Sequence, residues 1–134
     1  MESKQVLSVE QMKRLQELGL DTSTASMHWQ FLPTADSIIN GTDEIEEAPC
    51  LFVSQPNMKH EYPAFTLQDI LDKLPCFIDT YVLTLQKLAS TGTCMYMEPY
   101  SRSILILKED KELIDVAYEM LCWCIENGYV KTKE

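Results

Sequence analysis

The stretch Cys122-Trp123-Cys124 contains the residue types most able to do chemistry, since two thiols close in sequence can form a metal or redox site. A helix is expected here, and successive helical residues turn by about 100°, so positions two apart differ by about 200°. The two thiols therefore cannot share a metal ion or form a disulfide within the helix. We interpret Cys124 as a core thiol. Cys122 is predicted to lie at the boundary beside acidic residues, which raise the pKa of its thiol.

The residues after this pair predict the end of the helix. Asn127-Gly128 is a helix stop signal, with Gly128 at the left-handed position that follows the C-cap. Tyr129 and Cys124 then occupy the two positions that meet in a Schellman motif. The Cys-Trp-Cys stretch is accordingly interpreted as part of the fold, and no catalytic residue is predicted in it.

The remaining cysteines and histidines are scattered singly, at Cys50, Cys76, Cys94, His28 and His60. Their spacing matches no paired metal-ligand motif, and the chain has no G-x-S-x-G, G-x-G-x-x-G or P-loop sequence. We therefore predict no metal and no cofactor, and the sequence identifies no catalytic residue. Five cysteines without the dense spacing of a secreted scaffold indicate reduced thiols in a cytoplasmic protein.

Length and charge limit the classes of function. The 134 residues are expected to form a single domain, 1–134. A formal net charge of −10 argues against direct binding of nucleic acid or of an anionic membrane, both of which need clustered Lys and Arg. The same charge favours encounter with a basic protein. No apolar run has the length of a signal peptide core or a membrane span.

Three helices are predicted from capping signals. Ser8 and Gln11 form a capping box ahead of the first helix, and Thr66 and Asp69 form another ahead of the second. Gly19 and Leu20 are expected to end the first helix in a Schellman motif. Asp110 is the expected N-cap of the third helix. The predicted helices cover residues 9–18, 67–74 and 111–127.

Strands are predicted between the helices, and a loop over Pro33–Pro49 with a brief strand at 37–39. The predicted strands are 27–32, 50–54, 80–88, 94–97 and 103–107. The order α-β-β-α-β-β-β-α is typical of an α+β fold, in which helices pack on an antiparallel sheet. Residues 104–107, Ile-Leu-Ile-Leu, are apolar on both faces, which predicts a central strand or one covered on both sides.

Two features are candidates for partner binding. The first is the acidic loop DSIINGTDEIEE, whose carboxylates at Asp43, Glu44, Glu46 and Glu47 could meet Lys and Arg on a partner. The alternative is a solvated loop. The second is a surface of tyrosines and methionines, a composition enriched at protein interfaces. Its predicted members are Tyr96, Tyr100, Tyr129, Met95 and Met97. The alternative is that these aromatics complete the edge of the core.

Three segments carry a resemblance: VLSVEQMKRLQELGLDTSTASM, PAFTLQDILDKLP and LIDVAYEMLCWCIENGY. They resemble a group of small bacterial proteins associated with gut bacteria and with phage-like or other mobile elements. The matching segments are the capped helices. The resemblance implies no activity and transfers no site residue.

The leading hypothesis is a non-enzymatic protein that binds another protein, as an acidic inhibitor, immunity-type or accessory protein would. A small-molecule-binding domain or minor enzyme with a pocket between sheet and helices is the alternative. A third hypothesis is a homodimer formed through exposed aromatics or a sheet edge.

Overall fold

The computed structural model describes residues 4–32, 35–41, 49–55 and 62–132. The helices are α1 (Val9–Glu17), α2 (Ala35–Asn40), α3 (Leu67–Lys73) and α4 (Leu113–Glu126). The strands are β1 (Met27–Gln30), β2 (Cys50–Val53), β3 (Tyr62–Ala64), β4 (Phe77–Ile78), β5 (Tyr81–Lys87), β6 (Gly92–Met97) and β7 (Ile104–Asp110). Helices and antiparallel strands confirm the predicted α+β class. The strands divide between a three-stranded sheet, β2-β1-β3, and a four-stranded sheet, β4-β5-β6-β7.

Helix α1 begins and ends through the predicted local interactions. The Ser8 hydroxyl accepts a hydrogen bond from the Gln11 amide at 3.2 Å, and the Gln11 side chain accepts one from the Ser8 amide at 3.0 Å. At the other end Gly19 has φ +94°, and the Leu20 amide donates to the Leu15 carbonyl at 3.0 Å. The helix is therefore closed at both ends by its own neighbouring residues.

The capping box of α3 also ties the helix to a distant part of the chain. The Asp69 carboxylate accepts a hydrogen bond from the Thr66 amide at 3.0 Å, as predicted. It also accepts from the Ser26 amide at 2.9 Å and from the Ser26 hydroxyl at 2.6 Å. Asp69 is buried, so these bonds satisfy a carboxylate that water does not reach freely. One side chain thus caps α3 and positions the start of β1.

Helix α4 is the centre of the core. Its buried residues occur on most of its circumference: Ile114, Val116, Ala117, Tyr118, Met120, Leu121, Cys122, Cys124 and Ile125. The helix packs on β6 and β7 on one side and on α3 on another. Ion pairs from the N-terminal segment and α1 reach its exposed side, Lys4 to Asp115 at 2.7 Å and Arg14 to Glu126 at 3.1 Å.

Several boundaries differ from the predicted ones. Residues 37–39 lie inside α2 and form no strand, so that prediction was wrong. Asn40 is the last residue of α2, and Gly41 follows it at φ +67°, as glycine does after a helix C-terminus. Strand β7 continues to Asp110, so the N-cap of α4 is Glu112, whose side chain makes no capping hydrogen bond within the described residues.

Two short strands were missed, and one was extended. Strand β3 contains Pro63 and pairs with β1 at the edge of its sheet, where a missing amide is tolerated. Strand β4 has two residues, too few for a periodic pattern. Strand β6 begins at Gly92, where an added Cβ would lie 3.1 Å from the Leu113 Cδ1 atom. Glycine lets the first turn of α4 approach the sheet closely.

The interpretation of residues 104–107 as a central or doubly covered strand was wrong. Strand β7 is the last strand of the four-stranded sheet. Ile104, Leu105 and Leu107 are 49%, 39% and 41% exposed. Their apolar side chains are therefore not explained by burial within the described chain.

We predict that Asp69→Ala lowers the free energy of unfolding by about 2–4 kcal/mol, because it removes a cap and leaves buried donors unpaired. Asp72→Ala is the matched control, since Asp72 lies in the same helix and makes an exposed hydrogen bond to Gln68. Its effect should stay within about 0.5 kcal/mol. Urea unfolding of both variants measures the difference. Equal losses would show that the Asp69 bonds add nothing beyond a surface contact.

Candidate functional site

The two thiols of the Cys-Trp-Cys stretch contact different neighbours, as the helical geometry predicts. Cys124 is fully buried, and its Sγ atom lies 3.9 Å from the Tyr96 hydroxyl. Burial raises the pKa of the Cys124 thiol to about 11. Cys122 is also buried, not at a boundary as predicted. Its pKa is raised mainly by this burial, and Glu119 and Glu126 add to the shift as the acidic neighbours were expected to do.

The end of α4 has the predicted Schellman geometry. Gly128 has φ +79°, the Gly128 amide donates to the Ile125 carbonyl at 3.2 Å, and the Tyr129 amide donates to the Cys124 carbonyl at 2.8 Å. The Tyr129 ring stacks on Trp123, with centroids 5.5 Å apart and planes 22° apart. The aromatic residue between the two cysteines therefore helps to close the helix.

A cavity of about 180 Å³ lies beside Cys122, between α1, β7 and α4. Its lining residues are Arg14, Lys108, Tyr118, Glu119, Cys122, Trp123 and Glu126. The Arg14 guanidinium pairs with Glu126, and burial keeps the Cys122 thiol protonated at neutral pH. The lining therefore presents a neutral thiol, the Arg14–Glu126 pair and the further charges of Lys108 and Glu119.

A second cavity, of about 210 Å³, lies at the start of α4. Three lysines, Lys4, Lys87 and Lys111, contribute to its lining. Lys4 is already paired with Asp115 and also donates to the Gln11 side chain at 2.6 Å. Within the described ranges, no three His, Cys, Asp or Glu side chains come together as a metal site.

The predicted partner-binding residues are not brought together. Tyr96 is fully buried, and its hydroxyl donates to the Pro75 carbonyl at 2.7 Å. Tyr100 is 98% exposed. Tyr96 therefore belongs to the core, as the alternative interpretation had it, and Tyr100 is left alone at the surface. The four carboxylates at Asp43, Glu44, Glu46 and Glu47 lie outside the described residues.

The side of the four-stranded sheet that faces away from α4 forms a separate apolar surface, which we call the outer face. Cys94 and Tyr96 of β6 point into the core, so by alternation Met95 and Met97 point to the opposite side. The side chains on this face are Phe77, Val82, Thr84, Met95, Met97, Ile104, Leu105 and Leu107.

The strand register arranges these side chains in two rows. In the first row Phe77 pairs with Val82, Val82 with Met97 and Met97 with Ile104. A bulge opposite Tyr96 and Met97 adds Leu105 to this row. Phe77 is 65% exposed. Four strands thus each contribute an apolar side chain to one continuous stripe.

In the second row Thr84 pairs with Met95, and Met95 with Leu107. The next pairs along the strands are polar, Gln86 with Thr93 and Thr93 with Glu109. The outer face therefore has an apolar part without a single charge, and it is bounded by polar residues at one end.

Comparison of the chain with protein-family models, with curated proteins and with solved structures finds no match in any of the three. In the described part of the chain, no helix has the length and apolar character needed to cross a membrane.

The burial of the thiols predicts their reactivity. Cys50 and Cys76 are exposed, whereas Cys94, Cys122 and Cys124 are buried. Ellman's reagent at mildly alkaline pH should label Cys50 and Cys76 rapidly, and the others only after denaturation, because a buried protonated thiol is a poor nucleophile. A variant with both exposed cysteines replaced by serine should show no rapid phase. Rapid labelling in that variant would mean that a buried thiol is accessible.

The same burial predicts a loss of stability at high pH. The pKa of Cys94 is raised to about 12 and that of Cys124 to about 11, chiefly by burial. Unfolded thiols ionise near pH 8.5, so the folded protein binds more protons above that value. These two thiols should leave the free energy of unfolding unchanged below about pH 8.5, lower it as the pH rises toward their folded pKa values, and lower it no further above them.

Denaturant unfolding at a series of pH values measures this slope. The double variant Cys94→Ala, Cys124→Ala removes both titrating groups and should be less stable at neutral pH, with a shallower alkaline decline. An unchanged slope would assign the decline to other groups.

Proposed function

We propose that the protein is a non-enzymatic, cytoplasmic binding protein that acts through contact with another protein at its outer face. One observation carries this proposal: two rows of apolar side chains without a charge lie on the side of the sheet that faces away from α4, in a chain with a net charge of −10. The resemblance to proteins of mobile elements supports an accessory, inhibitor or immunity-type role.

The size of the exposed apolar surface supports binding. Phe77, Ile104, Leu105 and Leu107 are 65%, 49%, 39% and 41% exposed, which together equals about two whole side chains. At about 200 Å² for a large apolar residue, these four leave about 400 Å² of apolar area in contact with water. Patches of about 300–600 Å² are the largest that typical monomers expose, and they commonly mark interaction sites.

Charge adds a second contribution to binding. A strongly negative field accelerates encounter with a basic protein and disfavours acidic ones. The predicted contacts of Asp43, Glu44, Glu46 and Glu47 with Lys and Arg would supply this attraction. Tyr100, which is almost fully exposed, is a further predicted contact. In this arrangement the outer face supplies burial, and the carboxylates supply orientation and rate.

The alternative of a small-molecule site or minor enzyme corresponds to the cavity beside Cys122, which lies between sheet and helices as that hypothesis requires. Its volume of about 180 Å³ is below the roughly 300 Å³ at which sites for drug-sized ligands begin. Its charged pair is internally satisfied, and its thiol is protonated. The outer face is therefore the better-supported binding site.

Affinity capture from extract of the cells that naturally make the protein tests the proposal. Three baits are compared: the natural chain, Leu107→Arg, and a variant in which Asp43, Glu44, Glu46 and Glu47 are changed to their amides. Leu107→Arg places a charge in the outer face and should abolish capture of a partner. The amide variant should weaken capture, and added salt should weaken it further for the natural chain.

A control bait, Val53→Arg, places the same charge on an exposed apolar residue of the other sheet and should behave like the natural chain. Identical sets of captured proteins for all baits would contradict a role for the outer face and for the acidic residues.

A further inference from the structure

We propose that the outer face binds a second copy of this chain, so that two four-stranded sheets pack face to face in a symmetric homodimer. This inference rests on the proposed function and names the partner of the same surface. Its basis is the chemistry of the face, the area that the face offers and the charge of the chain.

The chemistry of the outer face suits a copy of itself. Its apolar side chains are Phe77, Val82, Met97 and Ile104 in one row, followed by Met95 and Leu107 in the next. A basic partner recognised by its charge would need carboxylates on this face, and the two rows contain none. A second copy of the chain offers an equally apolar surface. A two-fold axis places these equivalent patches against each other.

Sheet geometry allows this contact. Two sheets that pack face to face lie about 10 Å apart, with their side chains interdigitated and their strands about 30° from parallel. Leu107 and Ile104 project from β7 at one edge of the face, and Phe77 projects from β4 at the other. Met95 lies between these edges and is buried.

The available area fits a dimer of ordinary size. A standard interface buries about 800 Å² on each partner, with an apolar centre and a polar rim. The four most exposed side chains of the outer face supply about 400 Å² of apolar area, estimated from their exposed fractions. Val82 and Met97 on the inner strands add to the apolar centre, and Gln86 and Glu109 lie at its polar end.

Charge makes the homodimer distinguishable from a complex with a basic protein. Two copies, each with a net charge of −10, repel one another at long range. Salt screens this repulsion and leaves apolar burial intact, so added salt should strengthen self-association. Binding of a basic protein should respond to salt in the opposite direction.

Sedimentation velocity on the purified full chain, over a wide range of protein and salt concentrations, tests the inference. The natural chain should sediment as a dimer, with a Kd that falls as salt is added. Leu107→Arg should raise the Kd about tenfold or more, because it buries an unpaired charge in the contact. Leu107→Met keeps the apolar contact and should remain a dimer. Val53→Arg, the matched charge change on the other sheet, should also remain a dimer.

Circular dichroism establishes that each variant is folded. If Leu107→Arg does not fold, Phe77→Arg at the opposite edge of the face makes the same test, since Phe77 is 65% exposed. A natural chain that stays monomeric throughout would overturn the inference. So would a dimer insensitive to both arginine variants, or one that Val53→Arg disrupts equally.

These outcomes are separable from failure of the proposed function. The natural chain could be monomeric, capture a different protein and lose that protein on Leu107→Arg. This result would reject the homodimer and support the outer face as a binding surface. The proposed function fails when neither self-association nor capture of another protein depends on the outer face.

Discussion

The fold depends on the need to cover helix α4. Its buried residues extend over most of its circumference, so a single neighbouring element cannot remove them from water. The inner face of the four-stranded sheet covers one side, and α3 covers another. On the remaining side, Asp115 pairs with Lys4 and Glu126 pairs with Arg14. Other features of the fold serve the same packing. Gly92, for example, allows the first turn of α4 to approach β6.

Local chemistry explains why the helix termini could be predicted. A capping box or a Schellman motif involves residues within about six positions of one another, so its signal is complete in a short stretch of sequence. The starts of α1 and α3 and the ends of α1 and α4 were predicted for this reason. The second role of Asp69, as acceptor for Ser26, has no such signal, because the two residues are 43 positions apart.

Sheet arrangement is where sequence reasoning failed, and the candidate site lies there. The alternation of side chains along a strand shows which residues share a face. Both faces of β7 are apolar, so its sequence pattern fits a central strand and also an edge strand whose outer face binds a partner. The division into two sheets depends on pairings between distant residues. The buried position of Tyr96 follows from the same register, and it separates Tyr96 from Tyr100.

The outer face and the negative charge are explained together more simply than apart. An exposed apolar sheet face promotes nonspecific association, and a net charge far from zero opposes it by mutual repulsion. A chain that carries both can remain dispersed while keeping a surface ready for one well-matched contact. The two methionines at the centre of that surface can adjust their shape to a partner. The acidic composition alone indicates only solubility. Together with a sheet that is apolar on both faces, it limits nonspecific association and leaves the outer face available for binding.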